Sequence, residues 1–449
     1  MNRLFRLVVL SLGVLLLIGL ACRPAAAPAP KPAPPAPAPA PAPKPGPPAG
    51  APAELKVALV DFLSGPAAKF GTAALNGMKL LFDEINEAGG IAGVKVRYIV
   101  VDEAGPVDKV VSEFRRLVLE EKVDAVLGYT SSANCLGVAP VAEELRVLTI
   151  FHICGTNRLF EEKNYTYVFR TSAHQAAENV AAAYYVLKVK PDVKTIAGIN
   201  DDYAWGRDSW EAFMRAILKL KPDVKVVDAL WPKLYQGEYS AEITKLLAAK
   251  PDVIHSSLWG GHMDAFITQA AARGLFKESL VLLTTGETAL LTLKEVPEGV
   301  GLTGRGHVVY TVPDPAENPL TKKFIESYEA RYGEHPIYPS FRGAQAVSAF
   351  IAAYEKAIKT AGRWPTKEEV IKALENLEFD SPGGRIKMAL GNGHQAIQPS
   401  VWGITSSKRH PKWGFPLLEK TETFPAEQVN PPPGVKTLEW IETLRPAVR

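Results

Sequence analysis

The chain is poor in cysteine, and its first stretch has no acidic side chains. It contains 3 cysteines in 449 residues, too few for a scaffold that uses disulfides in place of a core. Residues 1–53 hold Arg3, Arg6, Arg23, Lys31 and Lys44 and no Asp or Glu. Setting those five aside leaves 46 basic against 48 acidic side chains, about −2 for the remainder of a chain whose formal total is +3. The basic balance therefore belongs to the N-terminal end, and a nucleic-acid-binding body loses its main support. Long apolar runs are scarce as well. Leu7–Leu20, interrupted only by Ser11, would reach about 21 Å as a helix, short of a hydrocarbon core of about 30 Å.

Signatures of catalysis are missing too. There is no G-x-x-x-x-G-K-[ST], H-E-x-x-H or G-x-S-x-G and no Cys/His zinc spacing. Gly304-Arg305-Gly306 lacks the third glycine and the strand–helix setting of a dinucleotide fingerprint. His255 and His262 straddle a strand end and a helix start, and the adjacent carboxylates Asp201-Asp202 and Glu120-Glu121 are poorly placed as acid/base partners. These residues indicate no enzyme, no metal and no cofactor.

The N-terminal end is an address followed by a tether. Two arginines, a short apolar run and small residues read as a secretory signal over 1–21; a retained membrane anchor is the competing reading. Gly19-Leu20-Ala21-Cys22 resembles a bacterial lipobox, with Gly19 where that motif usually has Leu. It implies lipid on Cys22; an ordinary secreted protein is the alternative. Of the 37 prolines, 14 fall between Arg23 and Ala53, interleaved with alanine. Such a segment favours polyproline II, and its 31 residues reach about 95 Å if fully extended.

From Leu55 the pattern changes. Leu55–Phe62, Val94–Val101, Ala125–Leu127 and Val147–Phe151 read as strands. Between them Thr72–Ala88, Val107–Glu121 and Val138–Leu145 carry apolar residues at helical spacing. The alternation restarts with a helix at Ala176–Val189 and runs to a strand at Leu280–Thr284. Helices at Leu320–Tyr332, Gly343–Thr360 and Lys367–Leu377 follow. Repeated β-α units mean parallel, doubly wound sheets. Two such lobes form a cleft where strands end.

The loops at those strand ends carry a resemblance. Ser64-Gly65-Pro66-Ala67-Ala68-Lys69-Phe70-Gly71, Ile85-Asn86-Glu87-Ala88-Gly89-Gly90-Ile91, Leu127-Gly128-Tyr129-Thr130-Ser131-Ser132 and Cys154-Gly155-Thr156-Asn157 occur in that order. Tyr167–Thr171, Asn200–Gly206, Trp259 and Thr285-Gly286-Glu287 complete the series. Over Glu54–Ile404 the chain resembles the leucine/isoleucine/valine-binding family of ABC-transporter receptors. The resemblance implies a type I periplasmic-binding fold: α/β, two doubly wound Rossmann-like lobes joined by three hinge crossovers. It implies that Ser132 and the N–H groups near Gly155 and Thr156 hold a ligand carboxylate at helix N-termini, with Cys154 in the same loop. It also implies that Glu287 balances an ammonium and that Phe70, Tyr129, Tyr203, Trp205 and Trp259 line an apolar or cation–π pocket. Taken singly, each aromatic reads equally as core, Ser132 as a helix cap and Glu287 as a solvated loop acid.

The family's first-lobe disulfide positions are Gly105 and Ser131 in this chain, so that bridge is absent. With Cys22 set aside, Cys135 and Cys154 remain on adjacent strand-end loops and are expected to pair. The expected domains are a lipid-anchored linker at 22–53, lobe 1 at 54–172 and 311–380, lobe 2 at 173–310 and 381–404, and an irregular extension at 405–449 packing on lobe 2. Crossovers are expected near Thr171–Ala173, Tyr310–Pro313 and Asp380–Gly384. The implied function is capture of a hydrophobic amino acid by lobe closure, for a membrane permease. Receptors for short amides, urea or aromatic carboxylates, and a ligand sensor for a signalling partner, are the alternatives.

Overall fold

The computed structural model describes residues 46–293, 295–305 and 318–445. The signal segment, Cys22, most of the tether and the crossover expected at Tyr310–Pro313 lie outside the described residues. The strands are β1 (Glu54–Asp61), β2 (Lys95–Asp102), β3 (Ala125–Gly128), β4 (Leu148–Phe151), β5 (Val168–Arg170), β6 (Thr195–Ile199), β7 (Lys225–Leu230), β8 (Val253–Ser256), β9 (Leu280–Leu283) and β10 (Gly301–Leu302). They continue with β11 (Glu378–Ser381), β12 (Gly384–Leu390), β13 (Gln395–Ile397), β14 (Ser400–Arg409) and β15 (Pro416–Phe424). Among the described residues they form two sheets, ordered β11-β12-β13-β5-β4-β3-β1-β2 and β15-β14-β10-β9-β8-β6-β7.

Strand β1 shows why the first sheet is buried on both faces. Leu55, Val57 and Leu59 point to one side, against Met78 and Phe82 of the helix Ala68–Glu87 and Phe350 of the helix Tyr338–Ala361. Ala58 and Val60 point to the other, among Phe114 and Val138 of the helices Val107–Leu119 and Ser132–Glu144. Such two-faced apolar strands belong to parallel sheets covered by helices. The helices Ala68–Glu87 and Tyr338–Ala361 cross closely enough that a Cβ at Gly77 would overlap the Ser340 backbone, and one at Gly343 the Ala74 backbone. The second sheet is built likewise, with Ile196 and Val253 facing Phe213 while Ile254 faces Phe266.

Two expectations need correcting. The crossover expected at Asp380–Gly384, with 381–404 in lobe 2, does not form there. Instead Pro382-Gly383 closes a hairpin in which Ser381 pairs with Gly384. The Ser381 hydroxyl donates to the Gly384 carbonyl (2.9 Å) and accepts from Gly383 N–H (3.1 Å). Strands β12 and β13 therefore stay in the first sheet, and the chain leaves for the second between β13 and β14. Likewise, Thr405–Arg449 is not irregular throughout. It completes β14 and supplies β15, and its short helix Thr437–Ile441 packs Trp440 and Ile441 into the second-lobe core.

The loops after β1, β3 and β4 and those after β6, β8 and β9 leave their sheets at the C-terminal strand ends. In the first sheet the order reverses between β3 and β1, and in the second between β8 and β6. These switch points are where open α/β sheets leave a crevice.

Candidate ligand-binding cleft

The first lobe brings a layer of buried acids and backbone donors to the cleft. Asp61, at the end of β1, accepts from Phe62 N–H (2.8 Å) and contacts His152 Nε2 (2.8 Å). Glu103, just past β2, accepts from Thr130 N–H (2.7 Å), Ser131 N–H (2.9 Å) and Asn134 Nδ2 (2.9 Å). Burial, and then the neighbouring Asp61, push the Glu103 carboxyl well above its ordinary range. A carboxyl group of the chain thus already accepts from the free donors at the start of the helix Ser132–Glu144. The Ser132 hydroxyl accepts from Gly155 N–H (3.2 Å) and Thr156 N–H (3.3 Å). Its own hydrogen is what it can offer a ligand.

The second lobe contributes flat walls. The Trp205 indole donates to the Ser257 carbonyl (2.8 Å), which fixes its ring against Gly155 of the other lobe. A Cβ at Gly155 would overlap that ring, so only glycine allows this approach. Trp259 reaches across to Phe62 (6.0 Å) and Phe70 (5.7 Å), and Phe70 meets Tyr338 edge-on at 5.3 Å. Burial pushes the Tyr203 hydroxyl well above its ordinary pKa.

Arg305 stands between these walls, on the segment that leaves β10. Its Nε donates to Glu178 (2.7 Å) of lobe 2 and its Nη1 to the Ile153 carbonyl (2.8 Å) of lobe 1. The guanidinium lies 4.5 Å from the Trp205 ring centre. Burial works to lower its pKa, but Glu178 and Tyr338 outweigh it, and the group stays charged. Further bonds cross between the lobes, among them Gly261 N–H to the Pro66 carbonyl (3.0 Å) and the Thr156 hydroxyl to Asp208 (2.6 Å). The lobes are therefore closed on each other. The cavity between them is about 10 Å³, room for about one water. A larger hollow of about 660 Å³, beside Leu81, Phe324 and Phe379, lies on the outer flank of lobe 1, away from the strand ends.

Of the ten ligand residues expected from sequence, Phe70, Ser132, Gly155, Tyr203, Trp205 and Trp259 line this cavity. The other four lie elsewhere. Tyr129 turns inward, its ring edge-on to Phe151 at 5.7 Å within the lobe core. Cys154 is joined to Cys135 by a disulfide, and its side chain is part of the same core. Thr156 fastens the lobes through Asp208. Glu287, in the turn Gly286–Thr288, is fully buried and already engaged within the protein. Sequence reading missed Thr130, Ile153, Thr285, Arg305 and Tyr338. Thr130 Oγ1 has no hydrogen-bond partner among the described residues. Tyr338 lies before the helix expected from Gly343, and Arg305 in a glycine-flanked stretch assigned to no element.

Two doubly wound lobes, closed over a small site at their switch points, define a bilobal solute-binding protein. A family model described as periplasmic binding protein matches residues 54–405, and the chain belongs to that family. It is 27% identical over 339 residues to Leu/Ile/Val-binding protein homolog 3 of Brucella melitensis, covering 76% of this chain and 86% of that one. It is 25% identical over 280 residues to the leucine-specific-binding protein of Salmonella typhimurium, covering 62% and 72%. Among solved structures, an ABC-transporter solute-binding protein of R. palustris in complex with 4-hydroxybenzoate superposes with a TM-score of 0.72 at 20% identity, covering 83% and 98%. The leucine-binding protein of Thermotoga maritima gives 0.68 at 22%, covering 82% and 98%. Members of this family are extracytoplasmic solute-binding proteins rather than enzymes. No helix of the described residues is long and apolar enough to cross a membrane.

Proposed function

We propose that this chain is the substrate-binding protein of an ABC importer and that it captures a small organic carboxylate with an apolar body. The observation that carries this reading is the meeting of charged and hydroxyl donors, Arg305 and Ser132, with the rings of Trp205, Trp259 and Phe70 around one cavity. Such a site pairs a few oriented polar groups with apolar walls. The cavity of about 10 Å³ is too small for any such ligand, so the lobes must part to admit one and can then close only to a wider cavity that encloses it. The ligand shifts that equilibrium by its preference for the closed form. In this reading the signal over 1–21 directs export and is removed, and lipid on Cys22 holds the binder at a membrane surface, where a permease receives the ligand.

Two ligand classes fit. Branched-chain amino acids are favoured by the names of the curated relatives. Aryl carboxylates are favoured by the flat walls and accord with the complex of the R. palustris neighbour. A thermal-shift screen of amino acids, short amides, urea and aryl acids, followed by X-ray scattering, tests the reading. Stabilisation with compaction by one class supports it, and no response to any class overturns it. Co-purification with a permease separates import from a signalling role, and Cys22→Ser should release the protein from the membrane fraction.

A further inference from the structure

We infer that Arg305 is the specificity-determining residue of this cleft and that it selects an aryl carboxylate without requiring an ammonium group. The inference rests on the binding-protein reading above and deepens it.

Three observations converge. First, the acids around the cleft are already engaged. Glu103 serves the helix Ser132–Glu144, Asp208 the Thr156 hydroxyl and Glu178 Arg305, while Asp201 lies 3.2 Å from the His262 ring and does not line the cavity. Glu287, the residue expected to meet an ammonium, is likewise engaged and does not line the cavity. A ligand ammonium would have to displace one of these contacts, at the cost of desolvating both partners.

Second, the cation that lines the cavity is held in place by its edges. Nε is fixed by Glu178 and Nη1 by the Ile153 carbonyl. The Arg305 carbonyl accepts from Arg342 Nη2 (2.7 Å) and its N–H meets the Thr303 hydroxyl (3.3 Å). The residue has φ +51°, in the left-handed region that a side chain seldom adopts. Strained backbone of this kind persists where surroundings over-determine it, and it gathers at ligand clamps. A planar guanidinium held this way suits a carboxylate better than a flexible lysine would.

Third, the guanidinium is stacked 4.5 Å from the Trp205 ring centre, while Trp259 and Phe70 complete the apolar wall. A flat ring carrying a carboxylate can slide between those walls with its charge at Arg305. The Ser132 hydrogen and the Thr130 hydroxyl, which has no hydrogen-bond partner among the described residues, both belong to side chains lining the cavity and can serve its oxygens. Because Arg305 bonds both lobes, an anion held there also bears on closure.

The test compares benzoate with benzamide, which has nearly the same shape but no charge. Titration calorimetry is run on the intact protein and on Arg305→Gln, Arg305→Lys and the double variant Arg305→Gln/Glu178→Gln, which leaves no stranded carboxylate. The expected result is benzoate binding at least 10-fold tighter than benzamide. Arg305→Gln should cost benzoate about 10- to 150-fold, the range for losing a charge-assisted bond, and bring the benzoate/benzamide ratio towards one. Arg305→Lys should keep part of that ratio. A merely structural role would weaken both ligands equally and leave the ratio intact, which overturns the inference. Binding of leucine with no response to benzoate overturns the ligand class while sparing the binding-protein reading. Silence with every ligand sinks that reading itself.

Discussion

Gly155 shows how a single missing atom can govern closure. Its Cα faces the Trp205 ring across the cleft, with no space for a methyl group. Gly155→Ala should force the lobes apart, at an overpacking cost of about 1–3 kcal/mol. The expected outcome is weaker ligand binding and a larger radius of gyration by scattering, with the first-lobe core intact by near-ultraviolet dichroism. Unchanged affinity would mean that Trp205 moves freely. Asp208 makes a second prediction at this scale. Burial, partly offset by the Thr156 hydroxyl, pushes its carboxyl up from 3.8 to about 6, with Arg158, Glu211 and Glu161 nearby. The closed form therefore binds this proton more readily than an exposed Asp does. Closure should weaken as pH rises from about 4 to about 6 and level off above. Asp208→Asn should flatten that slope when scattering is measured across the range. Individual residues were unevenly legible in sequence. Ser132, Gly155 and Trp205 sit in ordered strand-end motifs. Tyr129 sits in one too, yet nothing in its motif says that the ring turns into the core. Arg305 lies in a loop without periodicity, and its importance comes from Glu178 and Trp205, which stand 127 and 100 residues earlier in a chain that folds back on itself.

The bridge between Cys135 and Cys154 joins the helix Ser132–Glu144 to the loop after β4, so one covalent link spans the two elements that flank Ser132. Its 19-residue separation corresponds to about 3 kcal/mol of loop-closure entropy in the chain-entropy picture. The double variant Cys135→Ala/Cys154→Ala should lose stability of that order in urea denaturation. Ligand affinity should fall as well, because Gly155 and Thr156 are then held only by hydrogen bonds. A variant as stable as the parent would show that packing in the lobe core suffices. Elements with strong apolar periodicity were readable in advance, among them β1 and the helix Val107–Leu119. The starts of the helices at Val107, Ala176 and Lys367 were readable too, but three others were not. Ser132–Glu144, Ala204–Leu220 and Tyr338–Ala361 all begin earlier than their apolar pattern does. Their first turns carry Ser132, Trp205 and Tyr338, which face the cleft instead of the core. Strand β15 was missed for a different reason. Glu419, Lys420 and Glu422 give it the charged character of an edge strand, and polar spacing of that kind reads as loop.

At the scale of the whole molecule, one polar cluster ties the crossovers together. Arg342, on the helix Tyr338–Ala361, donates to the Arg305 carbonyl on the second crossover and to Gln398 (3.1 Å) on the third. Gln398 accepts from Ala173 N–H (3.0 Å) on the first crossover, and Gln345 donates to the Thr171 carbonyl there. Gln345 and Gln398 also bond each other at 3.1 Å. Burial, with Arg305 adding to it, lowers the Arg342 pKa to about 10. The cleft and the pivot thus share Arg305, whose side chain meets the site and whose carbonyl meets the cluster. The chain root lies on the far side. The Ala49 carbonyl accepts from Trp364 N–H (3.0 Å) and Ala51 packs on the first-lobe core, by the starting ends of β1 and β2. The chain therefore enters the fold through lobe 1. Gln398→Ala would strand the Ala173 N–H and a donor of Arg342 in a buried setting, at a cost of about 1–3 kcal/mol. Hydrogen exchange should then quicken at Thr171–Gln175 and in β14 while β1 and β3 stay protected. Scattering without ligand should shift towards a wider separation of the lobes. If exchange instead quickened evenly over both sheets, Gln398 would be a general stabilising residue, and the pivot would have to reside in the backbone of the crossovers alone.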